Sequence, residues 1–311
     1  MTRSGSTEAG LTFQTPNRKR DMMMKHLTIT LLICWAVFVA AADVVAQLPT
    51  FANVPYVSGG GERQQLDIYL PQNYREIEKL PVIVWIHGGG WQNGSKNDMP
   101  GKALINQGYA CVSINYRLSQ HAVFPAQIED CKAAIRWLRA NAKKYHLDPE
   151  RIGVWGASAG GHLVALLGTT NHKKDFDVGE NLDQSSAVQA VCDIFGPTGF
   201  ASFTHVPNYP DNPVEKLLGG PLAEKKELAA LASPMTHVAK ENPPFLILHG
   251  TDDRVVPLVQ STQFHEALKK AGVDAEISIA EGAGHNRAAF TTPEYMRTIS
   301  KFFDKHLKNE Q

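Results

Sequence analysis

The stretch Ile152-Gly153-Val154-Trp155-Gly156-Ala157-Ser158-Ala159-Gly160 decides the architecture, because an apolar, strand-like run passes straight into a G-x-S-x-G pentapeptide. A serine in that setting sits on a tight strand-to-helix turn. Small residues two places to either side let neighbouring backbone approach, and the strained turn pushes the hydroxyl outward. The residues that follow, Gly161-His162-Leu163-Val164-Ala165-Leu166-Leu167, have the small-then-apolar character of a buried helix, whose N-terminus favours negative charge near Ser158. Ser158 is the candidate nucleophile. For the pentapeptide alone, an ordinary glycine-rich turn is the competing reading.

Upstream, Pro81-Val82-Ile83-Val84-Trp85-Ile86 reads as a buried parallel strand that runs into His87-Gly88-Gly89-Gly90-Trp91. Consecutive glycines cost backbone entropy, so the run marks a place where main-chain N–H groups turn outward and approach something closely. With the amide after the nucleophile, those N–H groups would receive the oxyanion of a tetrahedral intermediate. The candidate donors are Gly89, Gly90 and Ala159. Trp91 is read as a substrate-binding wall of the acyl pocket or a brace of the loop, and His87 as a structural residue that fixes the glycines.

A nucleophilic serine needs a base, and the base needs an orienting acid; after a strand-to-helix nucleophile turn the expected order is Ser, Asp or Glu, His. The apolar strand Pro244-Phe245-Leu246-Ile247-Leu248-His249 ends in Gly250-Thr251-Asp252-Asp253-Arg254-Val255-Val256-Pro257, where a carboxylate can turn toward the serine. Asp253 is the candidate acid, with Asp252 its close competitor and Asp193 a weaker one. The alternating run Ala275-Glu276-Ile277-Ser278-Ile279 leads to Glu281-Gly282-Ala283-Gly284-His285-Asn286, and His285 is the candidate base. Of the 12 histidines, His265 and His306 fall in helix-like segments, His172 in a polar loop, and His162 packs under the nucleophile helix.

Helix-period segments alternate with strand-like runs after an initial antiparallel hairpin. Ile128, Cys131, Ile135 and Leu138 recur at helical spacing, as do Phe264, Leu268 and Ala271, and then Ile299, Phe302, Phe303 and Leu307. The pattern predicts an α/β fold: a mostly parallel twisted sheet with helices on both faces and active-site loops at the carboxyl ends of its strands. The long connection from Phe195 to Pro243, with Phe200, Phe203, His205 and Tyr209, is the place for a small lid.

Lys25-His26 precede an apolar stretch from Leu27 to Ala42, and Val44-Val45-Ala46 offers a small-residue cleavage site. The expected organisation is therefore an N-terminal extension with a secretory signal over 1–46 and one catalytic domain over 47–311, secreted or periplasmic. The apolar run is short for a stable membrane span. A formal net charge of +0 gives no electrostatic reason to expect nucleic acid or an anionic membrane as partner. No metal-ligand spacing, phosphate-cradling loop or nicotinamide fingerprint is present, so no metal or cofactor is expected. Cys111, Cys131 and Cys192 lie in apolar contexts and read as buried free thiols. The sequon Asn93-Gly94-Ser95 lies in the presumed oxyanion loop and reads as unused.

Taken together, these motifs resemble the α/β-hydrolase superfamily over residues 56–307. They are most similar to its HGGGW-bearing esterases, the hormone-sensitive-lipase-like and carbohydrate acetyl/feruloyl esterase-like groups. Leu66-Asp67-Ile68-Tyr69-Leu70-Pro71, Asn115-Tyr116-Arg117-Leu118 and Phe124-Pro125-Ala126-Gln127-Ile128-Glu129-Asp130 add to the resemblance, the last opening the helix before the nucleophile strand. It implies a serine carboxylic-ester hydrolase, and with an exported protein it points to removal of acetyl and feruloyl groups from polysaccharide. A general short-chain carboxylesterase is the nearest alternative. A prolyl-oligopeptidase-like peptidase and a non-catalytic binding module on the same fold are more remote.

Overall fold

The computed structural model describes Met1 and residues 48–202 and 212–308. The expected signal segment and the lid residues Phe203, His205 and Tyr209 lie outside the described residues.

Eight strands form one sheet: β1 (Phe51–Pro55), β2 (Gln65–Tyr69), β3 (Leu80–Ile86), β4 (Ala110–Ile114), β5 (Leu147–Ala157), β6 (Ala190–Ile194), β7 (Phe245–Gly250) and β8 (Ala275–Ala280). Their spatial order is β1-β2-β4-β3-β5-β6-β7-β8. The β1–β2 and β2–β4 pairings are antiparallel, and every pairing from β4 to β8 is parallel. This is the mostly parallel sheet expected, and β1–β2 is the initial hairpin.

β3, β4, β6 and β7 are buried at every position, so they read as unbroken apolar runs and hide the period of two. The alternation survives in what each residue touches. Val82, Val84, Ile152 and Val154 pack into one layer beneath α2 (Ala126–Ala140), α3 (Ala159–Thr169) and, further along the sheet, α6 (Val259–Ala271). Ile83, Trp85 and Trp155 face the other layer, covered by α1 (Lys102–Ile105) and α7 (Pro293–Leu307). Two short helices, α4 (Pro213–Leu218) and α5 (Lys226–Ala232), occupy the connection read as a lid.

α7 shows how the outer helices are specified. Thr292 caps it by accepting from the Tyr295 amide, Pro293 occupies the first turn, and Met296, Ile299, Phe302, Phe303 and Leu307 turn inward. Each of those large apolar side chains contributes about 1.5–3 kcal/mol on burial.

β5 is longer than the apolar run that announces it. It begins at Leu147, which pairs with Leu80, and carries the polar stretch Asp148-Pro149-Glu150-Arg151 before a register shift restores the apolar pairing Val82–Ile152. Cys111, Cys131 and Cys192 are buried free thiols, as expected, and burial raises the pKa of each.

Candidate active site

Ser158 stands alone between β5 and α3, with φ 58° and ψ −120°. A non-glycine residue with positive φ is strained, and here the neighbours fix it. The Ser158 amide donates to the Ile194 carbonyl at 2.9 Å and its carbonyl accepts from the His162 amide at 2.9 Å. The sterics explain the pentapeptide: a Cβ built on Gly160 would stand 2.1 Å from the Ile86 carbonyl oxygen. The turn exists because β3 and the start of α3 touch backbone to backbone.

The three residues expected to act together do meet. Ser158 Oγ lies 2.8 Å from His285 Nε2, and His285 Nδ1 lies 2.7 Å from Asp253 Oδ2. Asp253 Oδ1 accepts from the amides of Val255 and Val256 at 2.8 and 2.9 Å, which turns its other oxygen toward the histidine. Since an ionised carboxylate only accepts, His285 carries its proton on Nδ1 and leaves Nε2 to accept from the serine hydroxyl. Asp252 is exposed and does not reach His285. Asp193 is fully buried, but its Oδ1 accepts from the Gly196 amide at 2.8 Å and its Oδ2 has no partner. Burial raises the Asp193 pKa to about 6, against the lowering effects of the Gly196 amide and His249.

A second histidine, which the sequence reading passed over as the last residue of a strand, stands behind the acid. His249 Nε2 lies 3.4 Å from Asp253 Oδ2 and 2.9 Å from the Val256 carbonyl, and its Nδ1 faces Ser261 Oγ at 2.7 Å. Burial alone would raise the Asp253 pKa, but hydrogen bonds from His249 and His285, the attraction of the His285 ring when it is protonated, and the Val256 amide outweigh it and hold the carboxyl well below its usual range. Phe195, at the end of β6, is a further missed residue. Its φ of 43° turns the ring against His285, with centroids 4.6 Å apart.

The glycine loop is stitched from below by residues distant in sequence. His87 stacks on Tyr116 at 4.4 Å, its Nδ1 faces the Gly88 carbonyl at 2.8 Å, and Arg63 reaches its Nε2 at 3.1 Å. The guanidinium can only donate, so His87 is neutral with its proton on Nδ1. Burial, opposed by the Gly88 carbonyl and aided by Arg63, lowers its pKa to about 4. The structural role expected for His87 is the one observed. Gly89 has φ 103°, and a Cβ there would stand 2.4 Å from the Asn93 carbonyl oxygen. The Gly89 and Gly90 amides donate to no described residue, and Ala159, the first residue of α3, has no helical partner for its N–H.

Trp91 lines the cavity, and its indole N–H donates to His162 Nδ1 at 3.2 Å, a contact that braces the loop. His162 Nε2 in turn donates to the Ala232 carbonyl at 2.7 Å, and its ring stacks on Phe200 at 4.9 Å. His162 therefore sits on the nucleophile helix and ties the glycine loop to α5, rather than packing beneath the helix. Burial lowers its pKa to about 4, with the Ala232 contact opposing.

The cavity above these groups has a volume of about 520 Å³ and is bounded by Gly89, Gly90, Ser158, Ala159 and His285 among others. That is within the usual range for small-molecule sites. Among the described residues no group of acidic, histidine or cysteine side chains could hold a metal ion.

A parallel sheet with its serine on the turn between β5 and α3 defines an α/β-hydrolase. Residues 66–268 match the BD-FAE family, and the chain belongs to that family. The esterase LipQ of Mycobacterium tuberculosis is 34% identical over 238 residues, which are 74% of this chain and 55% of that protein. The chain thus spans a little over half the length of the curated relatives it matches. Among solved structures, a truncated carbohydrate esterase from gut microbiota superposes with a TM-score of 0.78 at 35% identity, covering 85% of this chain and 99% of that one. The butyrate-bound Est2 esterase of Thermogutta terrifontis gives 0.66 at 26% identity, covering 79% and 91%.

Proposed function

We propose that this chain is an exported serine carboxylic-ester hydrolase that removes acetyl and feruloyl groups from polysaccharide. The observation that carries the chemistry is the unbroken hydrogen-bond chain from Ser158 through His285 to Asp253 at the cavity wall. In this reading Ser158 attacks the ester carbonyl while His285 Nε2 takes its proton, and Asp253 holds the histidine tautomer and stabilises the imidazolium. The amides of Gly89, Gly90 and Ala159 receive the oxyanion. Collapse of the tetrahedral intermediate transfers the proton from His285 to the departing alcohol. A water activated by the same histidine then releases the acid and frees the serine.

The carbohydrate assignment draws on the likeness to the gut carbohydrate esterase and on the expected export signal within residues 1–46. Purified full-length protein should release acetate or ferulate from native acylated xylan, and the Ser158→Ala variant should not. A general short-chain carboxylesterase is the second reading, favoured by the likeness to the butyrate-bound Est2. Ser158-dependent cleavage of 4-nitrophenyl acetate without acid release from xylan would select it. Export is tested by sequencing the N-terminus of protein recovered outside the cytoplasm, which should begin near Gln47.

A further inference from the structure

The chemistry described above uses neutral donors and one buried carboxylate, yet a guanidinium also lines the cavity. Arg287, two residues beyond His285, contributes to its wall. Arg287 is held in place: Nη1 donates to the Asp98 main-chain carbonyl at 2.7 Å, and the guanidinium lies 5.7 Å from the Trp85 ring centroid. Both contacts orient the group without neutralising it. No carboxylate among the described residues lies within ion-pair distance of Arg287. Asp98 also lines the cavity, but it holds Arg287 through its main-chain carbonyl, and its exposed side chain forms no ion pair with the guanidinium.

A fixed, half-buried guanidinium with its remaining N–H groups unspent matches the planar fork of a carboxylate. We infer that Arg287 binds a carboxylate carried by the substrate, so that the preferred polymer is one whose acylated sugars adjoin uronic-acid residues. This rests on the proposed polysaccharide esterase function and names the substrate class within it. Neutral polymers would enter the same cavity but leave Arg287 without its partner.

The test compares acetylated xylo-oligosaccharides of equal length with and without a glucuronic-acid branch, using the full chain, Arg287→Gln and Arg287→Lys. The wild type should favour the charged oligosaccharide in kcat/KM by about tenfold or more, the scale of one charge-assisted contact. The preference should fall toward unity in Arg287→Gln, persist in part in Arg287→Lys, and weaken with added salt, since a half-exposed site is screened. A wild-type ratio near unity, or a preference unchanged in Arg287→Gln, overturns the inference while leaving polysaccharide deacetylation intact. Failure on both oligosaccharides, with Ser158-dependent cleavage of 4-nitrophenyl acetate retained, overturns it together with the polysaccharide reading.

Discussion

Ser158 and His285 meet at 2.8 Å, yet the side of the proposed nucleophile and the side of the proposed base are held in different ways. On the nucleophile side everything is backbone and burial: the turn is enclosed by β3 and β6, α3 is buried along its whole length, and Gly160 leaves no room for a methyl group. On the base side, β8 is a half-exposed edge strand, and His285 sits on the loop beyond it with 18% of its side chain exposed. There the geometry comes from side-chain partners, chiefly Asp253 with His249 behind it and Phe195 against the ring. Packing fixes Ser158 and hydrogen bonding fixes His285, so substitutions on the two sides should fail differently.

The largest effect is expected at Asp253. Asp253→Asn should lower kcat on 4-nitrophenyl acetate by about 10⁴-fold, because the amide supports the wrong histidine tautomer. Asp252→Asn, at an exposed position one residue away, should stay within about twofold. Similar losses for both would mean that the two carboxylates share the role. A pair of glycine variants sharpens the contrast in stability, read from denaturant unfolding. Gly160→Ala forces a Cβ to within 2.1 Å of a carbonyl oxygen and should cost about 3 kcal/mol or more. Gly282→Ala, in open space but with φ 71°, should cost about 1 kcal/mol.

Asp193 offers a pH-dependent comparison on the nucleophile side. Its folded-state pKa is raised to about 6, so the native protein holds a proton there that the unfolded chain releases near 3.8. Wild-type stability should therefore lose this contribution as pH rises from about 4 to 6, the native state binding more protons across that window. Asp193→Asn removes the buried charge, so its Tm relative to wild type should climb by several degrees between pH 4 and pH 7. A difference that stays flat or falls would show that the carboxyl is ionised without penalty. A smaller effect than at Asp253 is expected at His249: His249→Gln should reduce kcat by about tenfold with KM little changed, since it supports Asp253 and touches no substrate. A change in KM alone would contradict that placement.

The same division explains what the sequence disclosed. G-x-S-x-G and the HGGG run were legible because steric crowding leaves glycine as the residue that fits, as at Gly160 and Gly89. Strands β3 and β7 were legible because burial on both faces makes them continuously apolar. Asp253 and His285 followed from chain order and strand-end position, although choosing Asp253 over Asp252 depended on which carboxylate turns inward. His249, Arg63 and Phe195 were not legible as part of the site, since their roles come from partners far along the chain. Arg63 is 24 residues from His87, and Phe195 acquires its function only when a left-handed backbone aims its ring at His285. The early start of β5 was hidden because its first residues are polar and pair across a register shift.

The central claim, that Ser158 is made nucleophilic by His285 and Asp253, is tested most directly by covalent trapping. After incubation with a fluorophosphonate, peptide mass spectrometry should find one adduct, on Ser158. The adduct should be lost in Ser158→Ala and form far more slowly in His285→Ala, in parallel with ester hydrolysis. Labelling at another residue, or ester hydrolysis that survives in Ser158→Ala at more than about a thousandth of the wild-type rate, would contradict the claim.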